Sequence, residues 1–245
     1  HFLLRRQRQM CIRDSVHSTA TIANAISQSS ESDLKKYLDE DFIFVPYCRP
    51  GFTLTMEIKK LILPSTNILI LENHGLIVAG DDIEDTYKLL LKIHKKLDLI
   101  RNEKLAFDYL EKITNIDGYI HKNTDKYKLF STQNEKLFSL FHKSFYPDHV
   151  IFLGPGIPTF LEEKEANEFI QNLKRKDINL PPYLILKYKG LFENTLAIPA
   201  AKEMIDCFLE VLLRIDLSKS LKFLSSQQES ELLNWDIEIY RQSIN

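Results

Sequence analysis

Residues 69–80 contain the stretch that decides the fold, Leu-Ile-Leu-Glu-Asn-His-Gly-Leu-Ile-Val-Ala-Gly. Two short apolar runs flank a polar corner at Asn73-His74-Gly75. Short β-rich runs bounded by turn residues predict buried strands, and glycine lets the backbone bend sharply between them. After Asp81 and Asp82, which favour a helix start, apolar residues recur at helical spacing at Ile83, Tyr87, Leu90, Leu91 and Ile93. The stretch therefore predicts strand, tight corner, strand and helix, with one imidazole held at the corner.

The corner histidine, His74, is a candidate metal ligand. Neutral imidazole binds zinc well, and a histidine held between two rigid strands needs little reorganisation to do so. The alternative is a histidine that only supports the turn. The residues of the corner leave both interpretations open.

Two further segments accompany the corner, Val16-His17-Ser18-Thr19-Ala20 and Pro46-Tyr47-Cys48-Arg49-Pro50-Gly51. In this order and spacing the three segments resemble the class II aldolase/adducin family over about residues 16–100. The resemblance implies a three-layer α/β/α domain, in which His74 is the last of three zinc ligands. It also implies that His17 is the second ligand, in a His-x-His pair, and that Ser15 stands where the first ligand would be. Zn²⁺ or another divalent metal is the expected cofactor.

The loop after the second segment offers two candidate substrate-binding residues. Arg49 is suited to a phosphate or carboxylate group, and Tyr47 is a candidate proton donor. The alternatives are a solvated turn arginine and a tyrosine that packs against its neighbours. Cys48 is expected to be an inert loop thiol.

The first residues do not resemble a native protein sequence. Residues 9–14 can be encoded by CAG ATG TGT ATA AGA GAC, which resembles the end of a transposon adapter used to prepare sequencing libraries. We therefore expect residues 1–15 to be a non-native, adapter-derived segment that makes few contacts. The alternative is a native basic N-terminus. On the first interpretation the domain is incomplete at its N-terminus, and the general base of the family, a glutamate before the His-x-His pair, precedes the chain.

Composition narrows the range of partners. The chain has 245 residues, 44% of them hydrophobic, and a formal net charge of −2, which gives no support for binding nucleic acid or an anionic membrane surface. The cysteines form neither a disulfide framework nor a metal-binding spacing, a pattern typical of a reducing, cytoplasmic setting. No apolar run approaches the length needed to span a bilayer. The family resemblance, in contrast, implies a small-molecule sugar or sugar phosphate as the partner.

The remainder of the chain predicts a second unit. We expect the aldolase-like domain at residues 16–115, a connection at 116–130 and a small C-terminal α/β extension at 131–245. Pro147-Asp148-His149, which precedes a predicted strand at 150–153, resembles a segment that follows the aldolase domain in the longer, sugar-related branch of the family. His149 is expected to be structural. No internal repeat at a fixed period is visible.

For the intact protein the resemblance implies a metal-dependent lyase that cleaves or forms a C–C bond of a sugar-derived hydroxyketone through a zinc-stabilised enediolate. Because the chain as given would lack the first ligand and the general base, we expect it to be inactive. Epimerases, dehydratases and decarboxylases of the superfamily use the same stabilisation and are the alternatives within it. A different alternative is a non-catalytic, adducin-like assembly module. The family resemblance also implies a homo-oligomer, commonly a tetramer.

Overall fold

The structure is a computed structural model that describes residues 12–99, 102–105 and 115–235. It divides into two compact units. The first comprises His1–Ile100 and Arg214–Phe223, and the second comprises Arg101–Leu213 and Leu224–Asn245. Both units combine helices with a mixed four-stranded sheet, which confirms the α/β class. No described helix is both long and apolar enough to cross a membrane.

The sheet of the first unit has the strand order β1-β4-β3-β2. Its strands are β1 (Ile12–Val16), β2 (Ile43–Val45), β3 (Ile68–Leu71) and β4 (Gly75–Gly80). β1 and β3 both run antiparallel to β4, and β2 runs parallel to β3. The strands and corner predicted at residues 69–80 are therefore present, and the corner lies between the two central strands.

The first unit also contains four helices, α1 (Thr19–Ala25), α2 (Ser30–Tyr37), α3 (Phe52–Leu61) and α4 (Ile83–Leu97). Successive side chains of a strand point to opposite faces, and β3 is buried on both. Ile68 and Ile70 belong to one apolar cluster together with residues of α1, α2 and α4. Leu69 and Leu71 belong to a second cluster with Ile58 of α3. Burial on both faces explains why β3 is a continuous apolar run.

Helix α4 begins where the sequence predicts, but it buries only part of its apolar pattern. Asp82 is the N-cap, and its side chain accepts a hydrogen bond from the backbone N–H of Asp85. Ile93 and Leu97 are buried, whereas three apolar residues of the predicted pattern, Ile83, Tyr87 and Leu91, are exposed. The helical spacing is confirmed, but only part of the apolar pattern faces the core.

A short segment late in the chain, Arg214–Phe223, belongs to the first unit. Two ion pairs attach it to residues of that unit. Arg214 Nε lies 2.9 Å from Asp98 Oδ1, and Lys219 Nζ lies 2.8 Å from Asp33 Oδ2. The backbone of the segment also pairs with the end of α1, because Ser27 forms an isolated β-bridge with Leu221. The first unit is therefore completed by residues far from it in sequence.

The sheet of the second unit has the order β5-β8-β7-β6. Its strands are β5 (Tyr119–His121), β6 (Thr159–Phe160), β7 (Tyr183–Leu186) and β8 (Gly190–Asn194). A 3₁₀ helix, Asp125–Ser131, follows β5, and another spans Asn102–Leu105. The α-helices are α5 (Glu135–Phe138), α6 (Pro147–Leu153), α7 (Glu163–Arg175), α8 (Pro199–Arg214) and α9 (Ser226–Leu233).

Three features differ from the sequence-based expectations. Residues 150–153 form the end of helix α6 and not a strand, because Pro147 occupies the first helical turn, where its missing N–H costs nothing. Residues 116–130, expected to be a connection, contain β5 and most of a 3₁₀ helix of the second unit. Residues 12–15 lie in β1 and pair with β4, against the expectation of few contacts for residues 1–15. Residues 1–11 lie outside the described part of the chain.

Candidate metal centre

The corner between β3 and β4 is a tight turn fixed by backbone geometry. Leu71 lies opposite Gly75 in the antiparallel register, and the N–H of His74 donates to the carbonyl oxygen of Leu71 at 3.2 Å. Asn73 has a φ of 52°, a left-handed conformation that asparagine tolerates better than most residues. These features place His74, which is half-buried, at the end of two central strands.

His17 reaches the same corner from the neighbouring strand. It directly follows β1, whose Val16 lies opposite Leu76 of β4. A side chain at Gly75 would bring its Cβ to 2.5 Å from the carbonyl oxygen of Val16 and 3.3 Å from the Cα of His17. The absence of a side chain at Gly75 is therefore what lets the end of β1 approach the corner.

The two imidazoles lie side by side. The ring centres of His17 and His74 are 5.3 Å apart, with an angle of 44° between the ring planes. Two imidazoles bound to one tetrahedral zinc through bonds of about 2.0–2.1 Å have their ring centres about 5 Å apart. The pair therefore fits two ligand positions of one ion. Among the residues that the structure describes, no group of three or more His, Cys, Asp or Glu side chains could hold a metal.

Ser15 is the residue that the resemblance puts at the first of the three ligand positions. It lies in β1, two positions before His17, which directly follows that strand. Ser15 lies opposite Ile77, and Val16 between them lies opposite Leu76. A His-x-His pair in this register would supply a third imidazole, but a neutral serine hydroxyl is a poor zinc ligand.

The residue after His17 connects the metal corner to two helices. Ser18 is the N-cap of α1 and accepts from the N–H of Thr21 at 3.3 Å. Its hydroxyl also lies 2.9 Å from Nδ1 of His94 on α4 and accepts from the hydroxyl of Thr21. With both acceptor positions occupied, the Ser18 hydroxyl donates to His94, which makes Nδ1 of His94 an acceptor. These contacts hold the end of β1 in place.

The residues before His74 are held by the late segment of the first unit. Glu72 is 8% exposed, and its carboxylate accepts from the N–H of Tyr47 at 3.0 Å. The ammonium group of Lys222 forms an ion pair with the same carboxylate. Asn73, which is 2% exposed, donates from its side-chain amide to the carbonyl oxygen of Lys222 at 3.0 Å. Lys222 therefore contacts the corner at two consecutive residues.

The predicted substrate-binding residues lie in the loop between β2 and α3. Arg49 is exposed and Tyr47 is half-buried, and the backbone N–H of Tyr47 donates to the carboxylate of Glu72 beside the corner at 3.0 Å. Burial raises the pKa of the Cys48 thiol, as expected for an inert cysteine. The structure thus brings His17 and His74 together and connects Tyr47 to the corner through its backbone.

Sequence reasoning missed Glu72, Lys222 and His94. Glu72 directly precedes the Asn-His-Gly motif, and a charged residue inside an apolar run is a signal that could have been used. His94 stands beside three lysines in sequence, so the pattern indicated a solvated face. Nothing local connects Lys222 to the corner, because the two are separated by 150 positions in the chain.

Comparisons with known proteins agree with this geometry. The sequence model of the Class II Aldolase and Adducin N-terminal domain matches residues 11–99. A protein of Bacillus subtilis (strain 168) named Uncharacterized oxidoreductase YuxG is 27% identical over 94 residues. That match covers 38% of this chain and 14% of the Bacillus protein.

The family match lies in the first unit. Residues 11–99 carry the similarity to the class II aldolase/adducin family. The matched range begins at residue 11 and therefore includes β1 and both histidines of the corner.

Proposed function

We propose that the first unit is the catalytic domain of a metal-dependent lyase of class II aldolase type. The substrate would be a sugar-derived hydroxyketone, free or phosphorylated, whose C–C bond is cleaved or formed. The observation that carries the proposal is the pair His17 and His74, whose ring centres are 5.3 Å apart at the motif that defines the family. A three-layer α/β/α arrangement is part of the proposal, supported by apolar clusters on both faces of β3.

The residues of the chain would have two roles, holding the metal ion and binding the substrate. His17 and His74 would hold a divalent ion such as Zn²⁺, and the first ligand position of the family falls on Ser15. The ion, when bound, supplies Lewis-acid stabilisation of the negative charge that develops as the bond breaks. Arg49, exposed on the loop next to Tyr47, is proposed to bind a phosphate or carboxylate group of the substrate. No described residue is assigned as the general base.

Two alternatives are distinguished by chemistry. Epimerase, dehydratase or decarboxylase activity would use the same metal corner on other substrates. A non-catalytic, adducin-like assembly module would need no metal, so His17 and His74 at ligand positions argue against it. The Bacillus relative is named an oxidoreductase, but the match covers 14% of its length and this chain has no dinucleotide-binding glycine fingerprint. Hydride transfer is therefore not assigned to this unit. A cytoplasmic location and a homotetramer remain predictions.

The proposal is tested by completing the ligand set with Ser15→His. We expect the unchanged chain to bind Co²⁺ or Zn²⁺ weakly through two imidazoles. The variant should bind more than about 10-fold more tightly, since even outer-shell partners of metal ligands contribute 10–100-fold. Metal titration, followed by calorimetry and by the absorption of tetrahedral Co²⁺, measures the metal affinity of the unchanged chain and of the variant.

The matched control is Val16→His, which places the new imidazole on the opposite face of the strand and should leave affinity unchanged. Retro-aldol turnover of free and phosphorylated ketoses is then measured for Ser15→His loaded with Zn²⁺. Equal affinity of Ser15→His and Val16→His would refute the metal corner. Tight binding without turnover of any ketose would support the metal site alone, because no described residue supplies a general base.

A further inference from the structure

The sheet of the second unit repeats that of the first, strand for strand. The orders β1-β4-β3-β2 and β5-β8-β7-β6 correspond position by position. In each sheet the first and third strands run antiparallel to the fourth, and the second runs parallel to the third. A helix joins the second strand to the third in both units, and a long helix follows the fourth, α4 in one and α8 in the other.

The register agrees residue by residue. Leu71 lies opposite Gly75 at the first corner, and Leu186 lies opposite Gly190 at the second. The hydrogen bond from the N–H of His74 to Leu71, 3.2 Å, corresponds to the bond from Lys189 to Leu186, 3.0 Å. Two sheets can share a topology by chance, but a shared turn in the same register is much less expected by chance.

Further backbone hydrogen bonds correspond in the two units, with the same separation along the chain between each residue and its counterpart. Glu72 donates from its N–H to Val45 at 2.9 Å, as Lys187 does to Phe160 at 2.9 Å. Ala79 donates to Asn67 at 2.8 Å, as Asn194 does to Pro182 at 2.8 Å. The repeat therefore covers the second, third and fourth strands of each sheet together with the residues that flank them.

Backbone conformation and core residues correspond as well. Asn73 has a φ of 52° and Tyr188 a φ of 63°, both left-handed and both two residues before the glycine of the corner. Left-handed tyrosine is uncommon, so its presence shows that the turn is imposed by the strands around it. Three apolar residues of the first unit also have apolar counterparts in the second. Leu69 corresponds to Leu184, Leu71 to Leu186 and Ile77 to Phe192.

The sequence did not show this repeat, for two physical reasons. Buried strand positions require only apolar side chains of about the right size, so few identities remain beyond Leu-Ile-Leu and Gly-Leu around each corner. The spacing between corresponding residues also changes between the first strand and the second, because the second unit has extra residues around α5. A search at one fixed period therefore finds nothing.

We infer that the second unit is another copy of the class II aldolase/adducin fold, and that its corner has lost the metal ligands. His121 lies opposite Phe192, as Ser15 lies opposite Ile77. It therefore occupies the first ligand position. The second position falls on Asn123. It precedes Thr124, the N-cap of the next helix, as His17 precedes the N-cap Ser18.

The third position, that of His74, falls on Lys189. A lysine, an asparagine and one histidine do not fit zinc. The single histidine already contacts the corner, because its Nε2 lies 2.7 Å from the carbonyl oxygen of Lys189.

The charges around this corner are compensated within the second unit. Lys187, which stands where the first unit has Glu72, pairs with Glu135 at 2.7 Å. Lys122 pairs with Glu193 at 3.1 Å, and Lys202 pairs with the same carboxylate at 3.2 Å. Paired lysines are suited to holding the fold and not to coordinating a metal. The second unit is therefore a copy of the fold whose corner is not suited to a metal.

The test restores imidazoles in the second unit. Asn123→His and Lys189→His are combined with the native His121, in a background of His17→Ala and His74→Ala that removes the first corner. The double restoration should bind one Co²⁺ per chain with a tetrahedral absorption spectrum, and the background alone should bind none. The control replaces Asn123→His by Lys122→His, which puts the imidazole on the opposite face of the strand.

Each outcome decides the inference. One ion bound by the restored variant and none by the control supports the repeat. No ion bound by the restored, folded variant overturns it, whatever Ser15→His shows in the first unit, so the two proposals fail separately. If circular dichroism shows that the double variant is unfolded, Lys189→His alone is titrated against Tyr188→His. Equal Co²⁺ affinity of those two would overturn the inference.

Discussion

The buried histidine His149 should make the second unit sensitive to acid. Its side chain is 0% exposed, and neither ring nitrogen has a hydrogen-bond partner among the described residues. Aromatic rings surround it, the nearest being Phe208 with a centre-to-centre distance of 4.6 Å. Burial lowers the pKa of His149 to about 3. The residue is thus kept neutral in the folded protein and becomes protonated readily only on unfolding.

The magnitude follows from proton linkage. A histidine has a pKa of about 6.5 when unfolded, so below that pH the unfolded state binds a proton that the folded state does not. Stability is therefore lost as the pH falls through about 6.5 and continues to be lost until about 3. Between about pH 7.5 and pH 5 this one residue should cost about 2 kcal/mol.

The perturbation that isolates this effect is His149→Phe, which keeps an aromatic ring and removes both unpaired nitrogens. At about pH 7.5 the variant should be more stable by about 1–3 kcal/mol, the cost of a buried unsatisfied group. At about pH 5 its advantage should grow by about 2 kcal/mol. Urea unfolding followed by circular dichroism measures both values, with the exposed His142→Gln as a control expected to change stability little.

The comparison between wild type and variant is needed because burial also lowers the pKa of His121 and of His142. An advantage of His149→Phe that is the same at both pH values would refute the reasoning, since it would mean that His149 has the same pKa folded and unfolded. A variant less stable than wild type at both pH values would show that the site cannot accept the larger ring.

Three further changes test the first unit. Lys222→Met should lower the free energy of unfolding by about 1–2 kcal/mol, because the nearly buried Glu72 loses its cation. Lys222→Arg, which keeps the charge, should retain the wild-type stability. An unchanged unfolding midpoint for Lys222→Met would contradict the contact between Lys222 and the corner. Gly75→Ala should lower the free energy of unfolding by about 1–3 kcal/mol, because its Cβ would lie 2.5 Å from a backbone oxygen. Added to Ser15→His, it should also weaken metal binding. The control Gly118→Ala is also at positive φ but has nothing within 4 Å of the new Cβ, so it should lower stability less, and equal losses would argue against the clash. For Glu40, burial raises the pKa, but hydrogen bonds from Lys92 and Lys96 outweigh it and lower the pKa to about 2. The ionised Glu40 therefore stabilises the wild-type fold by about 1 kcal/mol above about pH 4.5, and this stabilisation is lost as the pH falls toward 2. Glu40→Gln should remove it, and a loss of stability that is independent of pH would contradict the ion pairs.

Much of the first unit could be predicted from local pattern. The apolar runs around Asn73-His74-Gly75 and the acidic start of α4 each act within a few residues, so strand, corner, strand and helix follow from them. The resemblance of three short segments also indicated His17 and His74 as a pair, and the structure brings their rings together. Residues 150–153 were the local failure: an apolar run buried on all sides has no periodicity to separate a short helix from a strand.

By itself the sequence determined the strand–corner–strand core, the family of the first unit and two histidines of the candidate metal centre. Those properties depend on neighbouring residues and on motifs with fixed spacing. Only the tertiary structure showed that Lys222 contacts Glu72, that Arg214–Phe223 completes the first unit, and that Leu186 and Gly190 repeat the register of Leu71 and Gly75. The reason is physical: side-chain pairs distant in sequence leave no local pattern, and a buried backbone turn can be repeated by any side chains that fill the same space.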